Sequence, residues 1–262
     1  MVIKPPFGTP LNLAHPLAQG LVGCWLFNEG GGTWAYDLSG QRRHGELGNI
    51  ANPPSATSGW GPGPHGGALI FDGIDDYILC PAINIGTGPV SFLAWVKGNS
   101  IPSNQERGIV GAFGTGYFFE LERSSYGSGS LTMIVGYPTQ NPNELDGGIW
   151  APSDISPHFV GMTRDSTKMA LYLDGIQVQS STHVNFTNFN VGNLPIIFGY
   201  PSQKFFSGSI SAVMVYNRAF SAEEVAFLHA FPYCMFDEPA YPAWMIPSNI
   251  PAIVDHYRRL AA

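Results

Sequence analysis

Apolar and polar residues alternate along most of this chain, and glycine-rich turns interrupt the alternation at short intervals. GLVGCWLFNEGGG at 20–32 and FDGIDDYI at 71–78 each join an alternating apolar run to a tight turn, the pattern of strands that cover one face of a sheet. Further period-2 segments lie at Ser91–Lys97 (SFLAWVK), Tyr117–Arg123 (YFFELER), Leu131–Val135 and His158–Arg164. In MALYLDGIQVQS, Asp174 and Gly175 separate two alternating runs, which predicts a type I′ hairpin. SGSISAVMVYNR at 207–218 supplies the last strand. SAEEVAFLHAF follows, and Ser221 with Glu224 predicts a capping box that opens a short helix.

The flanks read differently. Residues 1–19 form a proline-punctuated extended arm, 20–230 a β-sandwich, and 231–262 a second extended arm rich in proline and aromatic residues, with Pro251 starting a short terminal helix. The 32 glycines, 22 prolines and 34 aromatic residues fit many short strands and little helix. Only 12% of the residues are charged, about half the usual share. So little charge leads us to expect that part of the surface is covered by other subunits.

Charge and cysteine usage narrow the function. A net charge of -7 with 12 scattered Lys and Arg supplies no phosphate-neutralising stripe, so nucleic acid is not an expected partner. No apolar stretch approaches the roughly 18–20 residues that span a bilayer, and the opening MVIKPPFGTP does not read as a secretory signal. The expectation is a protein made in the cytoplasm, without a membrane partner. Cys24, Cys80 and Cys234 lack metal-ligand spacing and read as buried thiols. GPGPHG at 61–66 matches G-x-G-x-x-G by letter but lacks the strand–helix setting and reads as a loop. No G-x-S-x-G frames a serine, and the seven histidines are dispersed along the chain, which reads as surface or capping positions.

Taken together, GLVGCWLFNEGGG, AYDLSGQRRHG, GGALIFDGIDDYI, FLAWVK, HFVGMTRDSTKMALYLDGIQV and FSGSISAVMVYNRAFSAEEV resemble the laminin-G-like branch of the concanavalin A-like lectin/glucanase superfamily, over about residues 16–230. The HPLAQGLVG lead-in and the PYCMF segment resemble versions found in phage and prophage structural proteins. The resemblance implies an all-β jelly roll of two antiparallel sheets with a short helix after the last strand. Such a fold hosts many functions, so activity must be argued from sites. Glucanases of the superfamily carry an E-x-D-x-E-like strand motif. Here only Glu120 and Glu122 of FELER share a strand face, and they read as a solvated face rather than a catalytic pair.

Family members often hold a structural calcium. Glu29 and Asp37 match positions that contribute, but Ser211 and Ala212 stand where the family's later acidic pair would be; Asp72, Asp75 and Asp76 also look ligand-like, and turn formation beside Gly73 explains them equally. The expectation is therefore that no cofactor is required and the calcium position is empty. For carbohydrate binding, the loop aromatics Trp60, Tyr126, Tyr137 and Trp150 are the candidates. For assembly they are Pro5, Pro6 and Phe7 in the first arm and Tyr233, Phe236, Tyr241, Trp244 and Met245 in the second. A fold usually found outside cells, no export signal and two aromatic arms converge on a non-enzymatic virion surface protein. It would be a decoration, fibre-associated or tail-adhesion subunit that forms homo-oligomers and docks on other capsid proteins. A carbohydrate-binding module attaching to cell-surface glycans is the alternative, and a glycoside hydrolase or lyase comes third.

Overall fold

A computed structural model describes residues 4–84, 86–114, 117–125, 129–136, 144–187, 195–199 and 204–236. Within them the regular structure is almost entirely strand, and every strand pairing is antiparallel. The first sheet contains β1 (Leu21–Trp25), β4 (Gly59–Gly63), β5 (Gly66–Asp72), β7 (Val90–Gly98), β12 (Pro157–Arg164), β13 (Met169–Leu173), β14 (Ile176–Ser181) and β16 (Ser207–Tyr216). Their order is β14-β13-β12-β7-β16-β5-β4, with β1 paired to the end of β16. The second sheet contains β2 (Trp34–Ala35), β3 (Gly45–Gly48), β6 (Tyr77–Cys80), β8 (Glu106–Gly114), β9 (Tyr117–Ser124), β10 (Ser130–Gly136), β11 (Glu144–Ile149) and β15 (Ile196–Phe198). It runs β11-β10-β9-β8-β15-β6-β3-β2. This is the expected two-sheet sandwich. Two α-helices accompany it among the described residues, α1 (Val184–Thr187) and α2 (Ala222–Ala230).

Alternation decides which side chains meet between the sheets. Phe92, Ala94 and Val96 of β7 point into a core with Trp25, Phe71, Leu121, Met133 and Phe198. The intervening Leu93 and Trp95 point to the other face of the first sheet, yet they too are buried. A second apolar layer covers them, built from Leu17, Val225, Phe227 and Leu228 of α2, and Tyr233 to Phe236. A strand buried on both faces reads as a nearly continuous apolar run, which is the sequence of β7. Cys24, Cys80 and Cys234 are buried free thiols, as their isolation in the sequence led us to expect.

Local signals are met closely. Asp174 and Gly175 have φ of 50° and 79° in the β13–β14 turn, the left-handed pair that a type I′ hairpin requires. The Ser221 side chain accepts from the backbone N–H of Glu224 while the Glu224 carboxylate accepts from that of Ser221, so the capping box is complete. Arg218 donates from one guanidinium nitrogen to both oxygens of Glu224, each at 2.9 Å, and fixes the helix start to the end of β16.

The described parts of both arms lie on this chain's own sandwich. Lys4 is buried, its ammonium donating to the carbonyls of Leu26 (2.5 Å), Gly67 and Ser211 (2.6 Å). Asn12 N–H donates to Met235 O at 2.7 Å and so joins the two arms. Pro5, Tyr233 and Phe236, placed at an assembly surface by the sequence reading, are buried inside the chain because the outer face of the first sheet needs an apolar cover. Pro6 and Phe7 remain exposed. Tyr241, Trp244 and Met245 lie outside the described residues.

Candidate functional site

The outer face of the second sheet, opposite the core, gathers chemistry that no linear motif announces. Leu121 of β9 points inward, so Glu120 and Glu122 point outward. Register then places Trp34, Glu46, Leu79, Ile197, Gly111, Glu120, Ile134 and Glu144 in one row across all eight strands. A second row carries Gly108, Glu122, Thr132 and Asp146. Lys204 stands over both rows, 2.7 Å from Glu106, 2.9 Å from Glu122 and 3.6 Å from Glu120. Its carbonyl accepts from Gly108 N–H at 2.7 Å, which fixes the lysine backbone beside β8.

Burial makes this a strongly coupled cluster. Glu120 and Glu122 are both fully buried, which overturns the expectation of a solvated strand face. Period 2 assigned their side of the strand correctly, but Lys204, some 80 residues away in sequence, closes over them. Burial raises the affinity of Glu122 for its proton, and the neighbouring charge of Glu120 raises it further. Among the described residues neither oxygen of Glu120 has a hydrogen-bond donor. Burial alone would disfavour the Lys204 charge, but Glu120, Glu122 and Glu106 overcome it and hold the ammonium firmly protonated. Glu144 binds its proton more tightly than usual, through burial and then through repulsion from Glu106 and Asp146.

The other end of the row is aromatic. Trp34 is 44% exposed and follows the GGG turn, while Ala35 next to it is buried. Tyr36 is exposed beside it and packs on Phe7 at 5.8 Å and on His44 at 5.0 Å. Sequence reasoning passed over Trp34 because it sought aromatics inside loops rather than on the edge strand β2. The available signal was the W-A-Y alternation directly after a glycine turn.

The aromatics singled out from the sequence lie elsewhere. Trp60 is 6% exposed and its indole donates to Gly32 O at 2.8 Å. Trp150 is 1% exposed beneath the Arg123 guanidinium, 4.5 Å from its ring. Both are internal packing residues rather than platforms. Tyr126 and Tyr137 lie outside the described residues.

The acidic candidates divide into separate places. Asp37 is saturated by its own turn, accepting from Cys24 N, Ser39 N, Ser39 Oγ and Arg43 N, each at 2.9 Å. Glu29 accepts from Tyr36 N at 2.7 Å, and burial raises its proton affinity. Asp72, Asp75 and Asp76 come together, offering three carboxylate oxygens within 4.8 Å of one another. Of these, Asp72 accepts from Ile74 N at 2.7 Å and Asp76 from Asp72 N at 2.9 Å, while the second oxygen of Asp76 is buried without a partner. A calcium ion needs six to eight oxygens, so this trio could hold one only with further carbonyls or water.

Comparison with known proteins follows the same frame. The sequence profile described as Concanavalin A-like lectin/glucanases superfamily matches residues 72–226. Domain 4 of AbnA, a GH43 extracellular arabinanase from Geobacillus stearothermophilus solved in complex with arabinotriose, is similar at 18% identity and a TM-score of 0.61. That likeness covers 80% of this chain and 98% of that one. The binding domain of Paraclostridial Mosquitocidal Protein 1 is similar at 15% identity and a TM-score of 0.61, over 81% of this chain and 52% of that one. Trypanosoma rangeli sialidase in complex with sialic acid gives 17% identity and a TM-score of 0.59, over 84% of this chain and 34% of that one. The chain thus spans about half of the second and a third of the third. Among curated proteins no relative matches it. At these identities the solved structures speak for the fold alone. From residue 72 to residue 226, more than half its length, the chain carries that superfamily's profile on a two-sheet frame, and it belongs to the concanavalin A-like lectin/glucanases superfamily.

Proposed function

We propose that this protein is a non-enzymatic carbohydrate-binding sandwich that holds a neutral saccharide along the outer face of its second sheet. The observation that carries the reading is the row from exposed Trp34 to Glu144, which sets an aromatic platform and hydrogen-bonding groups in register on one face. Sugar rings stack on aromatic side chains, and carboxylates accept hydroxyl protons. Glu106, Glu144 and Asp146 are the reachable acceptors and Lys204 the donor. Glu120 and Glu122 lie beneath them as support. With Glu122 neutral, the carboxyl groups of Glu106, Glu120, Glu144 and Asp146 still outnumber Lys204 and disfavour uronates and sialic acids, which is why the ligand is neutral. The complex of AbnA domain 4 with arabinotriose supports this choice.

The test is a glycan array with arabino-oligosaccharides and other neutral chains beside sialylated and uronate chains. Binding is expected to neutral chains and to weaken about tenfold in Trp34→Ala. Binding that survives Trp34→Ala unchanged, or that favours sialylated chains, would overturn the reading. Release of reducing ends that Glu120→Gln abolishes would replace it with hydrolysis, in which an ionised and a protonated carboxyl share the work.

A second reading places the same domain on a virion surface, docked through its first arm. It draws on the exposure of Phe7 (54%) and Leu13 (71%) in that arm. Phe7→Ser is then expected to lower the native mass or the occupancy of particles; light scattering that shows no change speaks against it.

A further inference from the structure

The apolar cover over the first sheet leaves a cleft where the β4–β5 hairpin, β7, the start of β12 and the last turn of α2 approach each other. Three histidines far apart in sequence meet around it: His65 from the hairpin, His158 from β12 and His229 from α2. Trp95 and Phe159 form an aromatic floor, with ring centroids 4.4 Å apart, and His229 stacks on Phe159 at 5.6 Å and 17°.

Hydrogen-bond accounting shows what the cleft lacks. Its carboxylate is committed, since Asp174 accepts from His158 Nδ1 at 2.8 Å and from Phe159 N at 2.9 Å. His158 is committed on its other side to Asp154 at 3.0 Å. His65 Nδ1 lies 3.2 Å from the Tyr233 hydroxyl. Trp95, by contrast, is 3% exposed, and its Nε1–H has no acceptor among the described residues. A buried donor left in this state is costly unless a ligand or a water supplies the acceptor.

We propose that this cleft binds a small carboxylate whose oxygens take the Trp95 indole N–H and the imidazoles of His65 and His229. The apolar body of the ligand packs on Phe159 and on the proline rings of Pro64, Pro157 and Pro232. Charge selects the class. Lys4, which burial brings down to about 7 and whose charge acts on His65, joins the His158 imidazolium in disfavouring a cation below about pH 7, while Asp154 and Asp174 are neutralised in part by His158. His65 gives up its proton more readily than usual through burial and the charges of Lys4 and His229. A bound anion reverses that balance, so carboxylate binding takes up protons and strengthens as pH falls. The site lies on the first sheet, opposite the saccharide face, and stands independently of it.

The experiment titrates ¹⁵N-labelled full-length protein with acetate and with benzoate, following the indole N–H signals. The signal absent from Trp95→Phe is expected to move, with benzoate binding tighter than acetate. Affinity should rise about threefold or more from about pH 8 to about pH 6 and fall about tenfold in His229→Ala. His229 is exposed on α2, so its variant keeps the fold, and calorimetry with benzoate reads the same loss should Trp95→Phe fail to fold. No movement, an equal response to acetamide, or pH-independent affinity would each overturn the proposal.

Discussion

His158 keeps a proton between two carboxylates, Asp174 at 2.8 Å and Asp154 at 3.0 Å, and so ties the β13–β14 turn to the loop before β12. Hydrogen bonding to Asp174 outweighs burial and raises its affinity for that proton. A group of this kind contributes stability that is complete below its unfolded value and is lost as pH rises through its folded value. Glu122 acts in the same direction, because the folded chain keeps it neutral where the unfolded chain lets it ionise. The melting temperature is therefore expected to fall as pH rises from about 5 to about 7, and Glu122→Gln to flatten that slope; above about pH 7 Lys4, which burial brings down to about 7, works in the opposite direction. A slope that Glu122→Gln leaves unchanged, read by calorimetry across that range, contradicts this account. His158→Gln is expected to cost about 1 kcal/mol below pH 6.5, discounted for the partial exposure of both aspartates, and little at higher pH. At this scale the sequence shows direction but not enclosure. FELER reveals that Glu120 and Glu122 share a face, whereas their burial depends on Lys204.

The β13–β14 hairpin and α2 are the elements most plainly written in the sequence. Each rests on a few adjacent residues whose local chemistry admits one geometry. Gly175 has φ of 79°, and a Cβ there would stand 3.0 Å from His229 Nδ1. Gly175→Val is accordingly expected to cost more than about 1 kcal/mol, from the left-handed backbone together with displacement of the helix end. Ser221→Ala removes half of the capping box and is expected to cost about 1 kcal/mol in a urea titration. An unchanged midpoint would show that Arg218 and Glu224 alone hold the helix start. The segment after α2 was less legible. Its prolines exclude regular strand but do not say which surface receives Tyr233, Cys234, Met235 and Phe236, since that depends on the apolar outer face of β7, β12 and β16. Trp34 was missed for a related reason, because a two-residue strand is defined by its pairing partner Glu46 rather than by its own pattern.

For the whole molecule, the order of motifs was enough to identify a two-sheet sandwich, because each strand carries its own alternation and its own turn. The candidate saccharide face was not legible, since it is assembled by register across eight strands drawn from residues 34 to 197. The sandwich also has two apolar layers, one between the sheets and one over the outer face of the first sheet. Met235 is fully buried in the outer layer, so Met235→Ala is expected to cost about 2–5 kcal/mol. A loss below 1 kcal/mol in chemical denaturation would mean that the segment is an appendage after all.

Lys4 and β1 are held by partners more than 180 residues further on, the Ser211 carbonyl and the end of β16. On a ribosome adding about 5–20 residues per second, the start of the chain therefore waits on the order of ten seconds or more for the strand that completes it. During that interval β1, with Trp25 and the neighbouring Leu26 and Phe27, is a nascent apolar segment without its pairing partner. Fusing a slow-folding passenger behind residue 262 leaves that interval unchanged, whereas pausing translation before residue 207 prolongs it. Soluble yield should respond to the second manipulation and not to the first.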